Sequence, residues 1–208
     1  MSKLLYIEAS PLKSRSHTVA VSQAFLDAYR VAHPNDEIER LDLWQVVLPP
    51  FDAQTIEAKF AVLRRNEFTE EQLERWESVR RLSRHFNSAD KYVFSVPMWN
   101  FGVPYLLKHY IDVVTLPGEN WTWSRDQGYG TILSGKKALA IYASANPHED
   151  AAVGGDDFQK PFMRRWLRFI GIEDVHEITI APTLSDPETL ARLRTEAISA
   201  ATQLAPQF

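Results

Sequence analysis

The chain has 208 residues, 45% of them hydrophobic and 24% charged, with a formal net charge of −4. That size and balance suit one globular unit with a substantial core, and no basic stripe stands out to meet a phosphate backbone, which argues against nucleic acid as a partner. Cysteine is absent, so disulfides, thiolate metal sites and a cysteine nucleophile are excluded, and no metal centre is expected. Met1-Ser2-Lys3 leads straight into an apolar run at Leu4. That leaves no room for a cleavable leader, and no run approaches membrane-spanning length; a cytoplasmic protein without a membrane partner is expected.

Taken in order, the first strand is Leu4-Leu5-Tyr6-Ile7, and a helix follows with Val21, Phe25, Ala28 and Ala32 on one face. A weaker, alternating strand covers residues 38–43. Ala53, Ile56, Phe60 and Leu63 then predict a second helix. A third starts at Thr69, which forms a capping box with Gln72, and runs through Leu73, Trp76, Val79, Leu82 and Phe86. Arg80, Arg81, Arg84 and His85 are its wet side. The third strand is Tyr92-Val93-Phe94-Ser95-Val96, and Val103, Leu107, Tyr110 and Val114 mark the next helix, with Pro104 in its first turn. Ala138-Leu139-Ala140-Ile141-Tyr142 is the fourth strand. Phe158, Phe162, Trp166, Phe169 and Ile170 give a helix stopped by Gly171. Residues 176–180 form the last strand, and Ser185-Asp186-Pro187 opens a helix striped by Leu190, Leu193, Ala197, Ile198 and Ala201. Short runs apolar on both faces, alternating with helices, predict one doubly wound α/β domain over residues 1–208, with an extra helix between the second and third strands. Ligands of such sheets sit beyond the carboxyl ends of the strands, here after Ile7, Val96 and Tyr142.

Three unusual loops stand at those positions. The first, Ser10-Pro11-Leu12-Lys13-Ser14-Arg15-Ser16-His17-Thr18, crowds hydroxyl residues at the start of a helix, where free N–H groups and the helix dipole favour an anion. A serine-rich turn with a single N-cap is the plainer reading. Neither the P-loop nor the dinucleotide glycine pattern is present, so a phosphomonoester fits best. The second, Val96-Pro97-Met98-Trp99-Asn100-Phe101-Gly102-Val103-Pro104, is fixed by proline at both ends and offers large rings, an amide and a glycine. A flat ring system with a polar rim, such as a flavin, asks for that mixture, although an aromatic loop packing on its own core has the same composition. The third is Ser144-Ala145-Asn146-Pro147-His148. Its small residues let backbone lie against a ligand edge. His148 reads as a surface histidine, as a stabiliser of charge developing on a reduced flavin, or as a proton donor.

The stretch Pro97-Met98-Trp99-Asn100-Phe101, continued by Pro104, Leu107, Lys108, Tyr110 and Asp112, resembles the second flavin loop and following helix of the FMN-dependent NADH:azoreductases, within the flavodoxin-like NAD(P)H:quinone oxidoreductases. Ser10 with Ser16-His17-Thr18, Gly118 with Trp121 and Trp123, Gly135-Lys136-Lys137 and residues 167–172 extend the likeness over nearly the whole chain. The resemblance implies a flavodoxin-like open five-stranded parallel sheet, order 2-1-3-4-5, with helices on both faces. It implies FMN bound tightly but without a covalent link, and NADH or NADPH as co-substrate. By the same resemblance Ser10, Ser16, His17 and Thr18 hold the FMN phosphate and ribityl chain. Pro97, Met98, Trp99, Asn100 and Phe101 line the flavin, and Ser144, Ala145, Asn146 and Pro147 border its pyrimidine end. The family forms homodimers in which the partner partly covers each flavin. Trp121 and Trp123 match that cover and would meet substrate together with Phe101; an aromatic pair packing locally on a hairpin is the alternative. The family's third loop is usually glycine-rich, and it often carries arginine where Leu116 stands here, so contacts at the pyrimidine end and near the dimer interface differ.

The activity implied is a ping-pong, two-electron reduction of quinones or azo compounds through FMN, with no essential acid or nucleophile and His148 at most stabilising charge. The rivals are a flavodoxin-type electron carrier without NAD(P)H oxidase activity, and a sensor module that has lost its flavin. A phospho-receiver domain needs acidic residues where the third strand ends in Val96-Pro97, and a tyrosine-phosphatase loop needs cysteine.

Overall fold

The computed structural model describes residues 1–64, 66–150 and 155–208. Five strands, β1 (Lys3–Glu8), β2 (Glu37–Asp42), β3 (Lys91–Pro97), β6 (Lys137–Ala143) and β7 (Asp174–Ile180), form one sheet in the order β2-β1-β3-β6-β7, with every neighbouring pair parallel. In the sheet's own count this is 2-1-3-4-5, as expected. The remaining strands, β4 (Trp121–Ser124) and β5 (Gly128–Thr131), pair with each other as an antiparallel hairpin. The helices are α1 (His17–Ala32), α2 (Ala53–Arg64), α3 (Glu70–Asn87), α4 (Tyr105–Val114), α5 (Gln159–Ile170) and α6 (Pro187–Leu204).

The strand side chains alternate between two cores, because successive Cβ atoms leave opposite faces of a sheet. Leu5, Ile7, Tyr92, Phe94, Ala138 and Ala140 meet Phe86 of α3, Leu107 and Tyr110 of α4, and Met163, Trp166 and Ile170 of α5. Leu4, Tyr6, Val93, Leu139 and Ile141 meet Val21, Phe25 and Tyr29 of α1 and Ala197 and Ala201 of α6. The central strands are therefore apolar on both faces, and the edge strands β2 and β7 are the ones left partly exposed. Local signals set the helix ends. Thr69 and Gln72 complete the capping box of α3, and Asp186 caps α6 by accepting from Thr189 N–H. Gly171 ends α5 with φ of 103°, and a Cβ there would lie 3.2 Å from the Leu133 backbone.

Two expectations change. The second helix was expected to bury Ile56 and Phe60; α2 instead turns Thr55, Ala58 and Ala61 inward and leaves Ile56 and Phe60 exposed. Small side chains allow α2 to approach α3 closely, and that packing outweighs the larger apolar stripe. The hairpin β4–β5 is an addition to the predicted element order. Its strands are four residues long and one carries two glycines, so weak a pattern that the sequence offers a hairpin only as the alternative reading of Trp121 and Trp123.

Candidate functional site

The first loop leaves β1 at Glu8 and makes a 3-10 turn, Lys13–Arg15, before α1. Arg15 N–H donates to Leu12 O and Ser16 N–H to Lys13 O. Ser16 is the N-cap of α1; its hydroxyl accepts from Val19 N–H and lies 3.0 Å from the Thr18 hydroxyl. Ser10, Ser16 and Thr18 are all buried. The first-turn N–H groups of His17 and Thr18 have no carbonyl four residues back inside the helix to receive them. Buried hydroxyls and uncommitted N–H groups at a helix N-terminus form a cradle for an anion. The His17 imidazole is half-buried, and burial, reinforced by Arg194 of α6, holds its pKa below the ordinary histidine value.

The second loop is a tight turn. Trp99 N–H donates to Gly102 O and Gly102 N–H to Trp99 O, both at 3.0 Å. The two residues between them, Asn100 and Phe101, have φ of 46° and 67°. Two consecutive left-handed residues define the mirror-image turn usually made with glycine, and neither residue is glycine here. Asparagine tolerates that region; phenylalanine adopts it only at a cost, and such strain collects at functional sites. The turn pushes the Phe101 ring outward, where it is 49% exposed. Met98 N–H bonds Ala143 O at 2.7 Å, and Phe158 N–H bonds Phe101 O at 3.0 Å.

The third loop is strapped from behind. Thr183 N–H donates to Ser144 O and Leu184 N–H to Ala145 O, while the Ser144 hydroxyl donates to Asn146 O. Ala145, Asn146 and Pro147 stay exposed. His148 Nδ1 is 2.8 Å from Asp156 Oδ1, and its ring meets Phe101 edge-on at 5.9 Å. Second and third loops thus touch.

First and second loops are joined by Trp44, a residue the sequence reading did not single out. Its Nε1–H donates to Ala9 O at 3.0 Å, and its ring lies 5.8 Å from Trp99 and 5.7 Å from Tyr105. The available signal was its place two residues past the end of β2, on the same sheet edge as the three loops. Gln159 was missed too; from the buried start of α5 its amide donates to Val96 O at 3.1 Å and fixes the end of β3. A cavity of about 860 Å³ opens beside the second loop between Phe51, Trp99, Asn100, Tyr105 and Asp112. Replacing Trp44 with phenylalanine keeps an aromatic ring, though a smaller one, and deletes the bond to Ala9. Unfolding free energy should fall by about 1 kcal/mol, read by urea denaturation.

Trp121 and Trp123 part company. Trp121 is buried at the base of the hairpin against Tyr129 and Phe169, with the Lys59 ammonium 5.7 Å from its ring; Trp123 is 53% exposed. Phe169 is at the carboxyl end of α5, the end remote from the three loops, so the hairpin does not reach the rim of its own chain. Burial lowers the Lys59 pKa below the ordinary lysine value.

An open parallel sheet of this order, with an anion cradle after β1 and an aromatic turn after β3, defines a flavodoxin-like protein. The family profile described as "Flavodoxin-like fold" matches residues 2–204, and the chain belongs to that family. Among its relatives, the FMN-dependent NADH:quinone oxidoreductase of Desulfotalea psychrophila is 41% identical over 208 residues, 98% of each chain. That of Nitratidesulfovibrio vulgaris is 35% identical over 210 residues and the full length of both. Among solved structures, an azoreductase from Bacillus anthracis str. Sterne superimposes with a TM-score of 0.89 at 26% identity, covering 100% of both chains. An FMN-dependent NADH-azoreductase from Bacillus anthracis str. Ames Ancestor, in complex with FMN, gives a TM-score of 0.83 at 28% identity over 99% of this chain and 100% of that one.

Proposed function

We infer that residues 1–208 form one FMN-binding domain of an oxidoreductase that uses NADH to reduce quinones and azo compounds. The observation that carries this reading is the single rim on which Trp44 joins the anion cradle to the aromatic turn. One face of that rim suits a phosphate and the other a flat ring, and the names of the relatives fit the same assignment.

In this reading Ser10, Ser16 and Thr18, with the N–H groups of His17 and Thr18, hold the FMN phosphate. Pro97, Met98, Trp99, Asn100 and Phe101 line the ring, and Ser144, Ala145, Asn146 and Pro147 border its pyrimidine end. Bound FMN supplies the hydride chemistry that no side chain of the chain has. The protein orients the two substrates in turn on one exposed face, a ping-pong arrangement, and keeps water off that face with Trp99 and Phe101. His148, held by Asp156, stabilises charge and is not essential.

Trp123, Tyr129, Ile56 and Phe60 are exposed apolar groups. A homodimer accounts for them, with Trp123 of each protomer covering the acceptor site of its partner while Trp121 anchors the hairpin. A cytoplasmic setting agrees with the lack, among the described residues, of any helix long and apolar enough to cross a membrane.

The purified protein should be yellow with bound FMN and should oxidise NADH when menadione or methyl red is supplied. A protein that stays colourless with added FMN overturns the site assignment. A yellow protein that leaves NADH unoxidised would instead be an electron carrier.

A further inference from the structure

Glu8 is a fully buried carboxylate at the last position of β1, two residues before the anion cradle. It is clamped on both sides. One oxygen is 3.1 Å from Lys13 Nζ, the other is hydrogen-bonded by Arg40, and the Tyr6 hydroxyl is 3.3 Å away. Lys13 also bonds Asp42, the last residue of β2, whose other oxygen accepts from Trp44 N–H at 3.0 Å. Lys13 itself opens the 3-10 turn that ends at the N-cap Ser16, and its φ is 53°. A lysine in the left-handed region is held there against an intrinsic preference for other backbone conformations.

A carboxylate with no solvent contact is tolerated only when cations and hydrogen bonds replace its water. Glu8 achieves this by drawing Lys13 across the ends of β1 and β2, which sets the turn and hence the height of Ser16 and Thr18 above the sheet. The two carboxylates, Glu8 and Asp42, balance the two cations, Lys13 and Arg40, so the cluster offers a phosphate no net attraction. Its contribution to anion binding is geometric.

We propose that Glu8 is a positioning residue: through Lys13 it holds the first loop in the conformation that accepts a phosphomonoester, and so gives the site its preference for FMN over riboflavin. The proposal rests on the assignment of the first loop to the FMN phosphate.

The test is titration of the full-length protein, freed of flavin, with FMN and separately with riboflavin, following flavin fluorescence. Wild type should prefer FMN; if it binds both equally, the phosphate assignment fails and this proposal with it. In Glu8→Gln the one amide oxygen can no longer serve both Lys13 and Arg40, so the charge-assisted latch on Lys13 is reduced at most to a neutral hydrogen bond while the cluster gains one positive charge. A positioning role predicts FMN affinity about tenfold weaker, the loss of about one charge-assisted hydrogen bond, with riboflavin affinity unchanged. A purely electrostatic role predicts tighter FMN binding. Unchanged or tighter FMN binding in this variant, with wild type still preferring FMN, overturns the proposal and leaves the assignment intact. Should Glu8→Gln not fold, Lys13→Met removes the same latch from its partly exposed side. Its FMN-specific loss should persist at about 0.5 M salt, where the screening length is only a few ångströms, and Lys13→Arg should restore affinity. A loss that salt abolishes would be simple repulsion and would overturn the proposal.

Discussion

Ser16→Asp should fold normally and lose FMN. Aspartate is as good an N-cap as serine, so the bond to Val19 N–H is kept and helix α1 should start where it does now. The carboxylate, however, would stand beside the Thr18 hydroxyl, which lies 3.0 Å from the serine oxygen it replaces. The phosphate of FMN is largely dianionic at neutral pH. Two like charges about 4 Å apart repel by about 4 kcal/mol at an effective dielectric near 20. That corresponds to a Kd about a thousandfold higher. Losing one neutral hydroxyl donor would cost only about 1 kcal/mol, so charge decides the outcome. Riboflavin, which has no phosphate, should bind the variant nearly as it binds wild type. Fluorescence titration with both flavins measures the difference, and added salt should narrow it. FMN binding as tight as in wild type would place the phosphate elsewhere.

The sequence made this cradle visible because its signals are local. A hydroxyl-rich loop after an apolar run and before a helical stripe needs no tertiary information. The same is true of β1, β3 and β6, whose burial on both faces leaves continuous apolar runs, and of the Thr69 and Asp186 caps. Features decided by packing stayed hidden. Nothing local tells α2 to bury Ala58 and expose Phe60, since that choice belongs to the surface of α3. Trp44 looks like any aromatic residue after an edge strand until Ala9 O and the Trp99 ring are seen around it. Trp121 and Trp123, two residues apart on one strand, share one face of the hairpin, and the period-2 pattern cannot tell that the first packs on Phe169 while the second runs past the domain and stays exposed. Glu8 is a charge in an apolar strand, a visible anomaly whose explanation needs Lys13 and Arg40 to come from other elements. The turn at Asn100 and Phe101 was the least legible, because its conformation is normally announced by glycine.

That turn supports the second large expectation, an inverted order of two stabilities. At most positions glycine is the less stable replacement, by roughly 0.5–1 kcal/mol relative to alanine within regular structure. At Phe101 the order should reverse. Both Phe101→Ala and Phe101→Gly delete the same half-buried ring and its edge contact with His148. Alanine keeps a Cβ that opposes φ of 67°, whereas glycine adopts that region freely. Phe101→Gly should therefore unfold at higher urea concentration than Phe101→Ala, by about 1 kcal/mol. Equal midpoints, or alanine the more stable, would show that the left-handed turn is not maintained in solution. Activity should not follow stability. On the proposed site assignment both variants lose a ring that would shield the flavin face and stack on a flat acceptor, a contact worth about 1 kcal/mol, so KM for menadione should rise by up to about tenfold in each. A rise in KM in both variants would mark a residue kept for chemistry at a cost in stability; a purely structural phenylalanine at this position would leave KM unchanged when replaced.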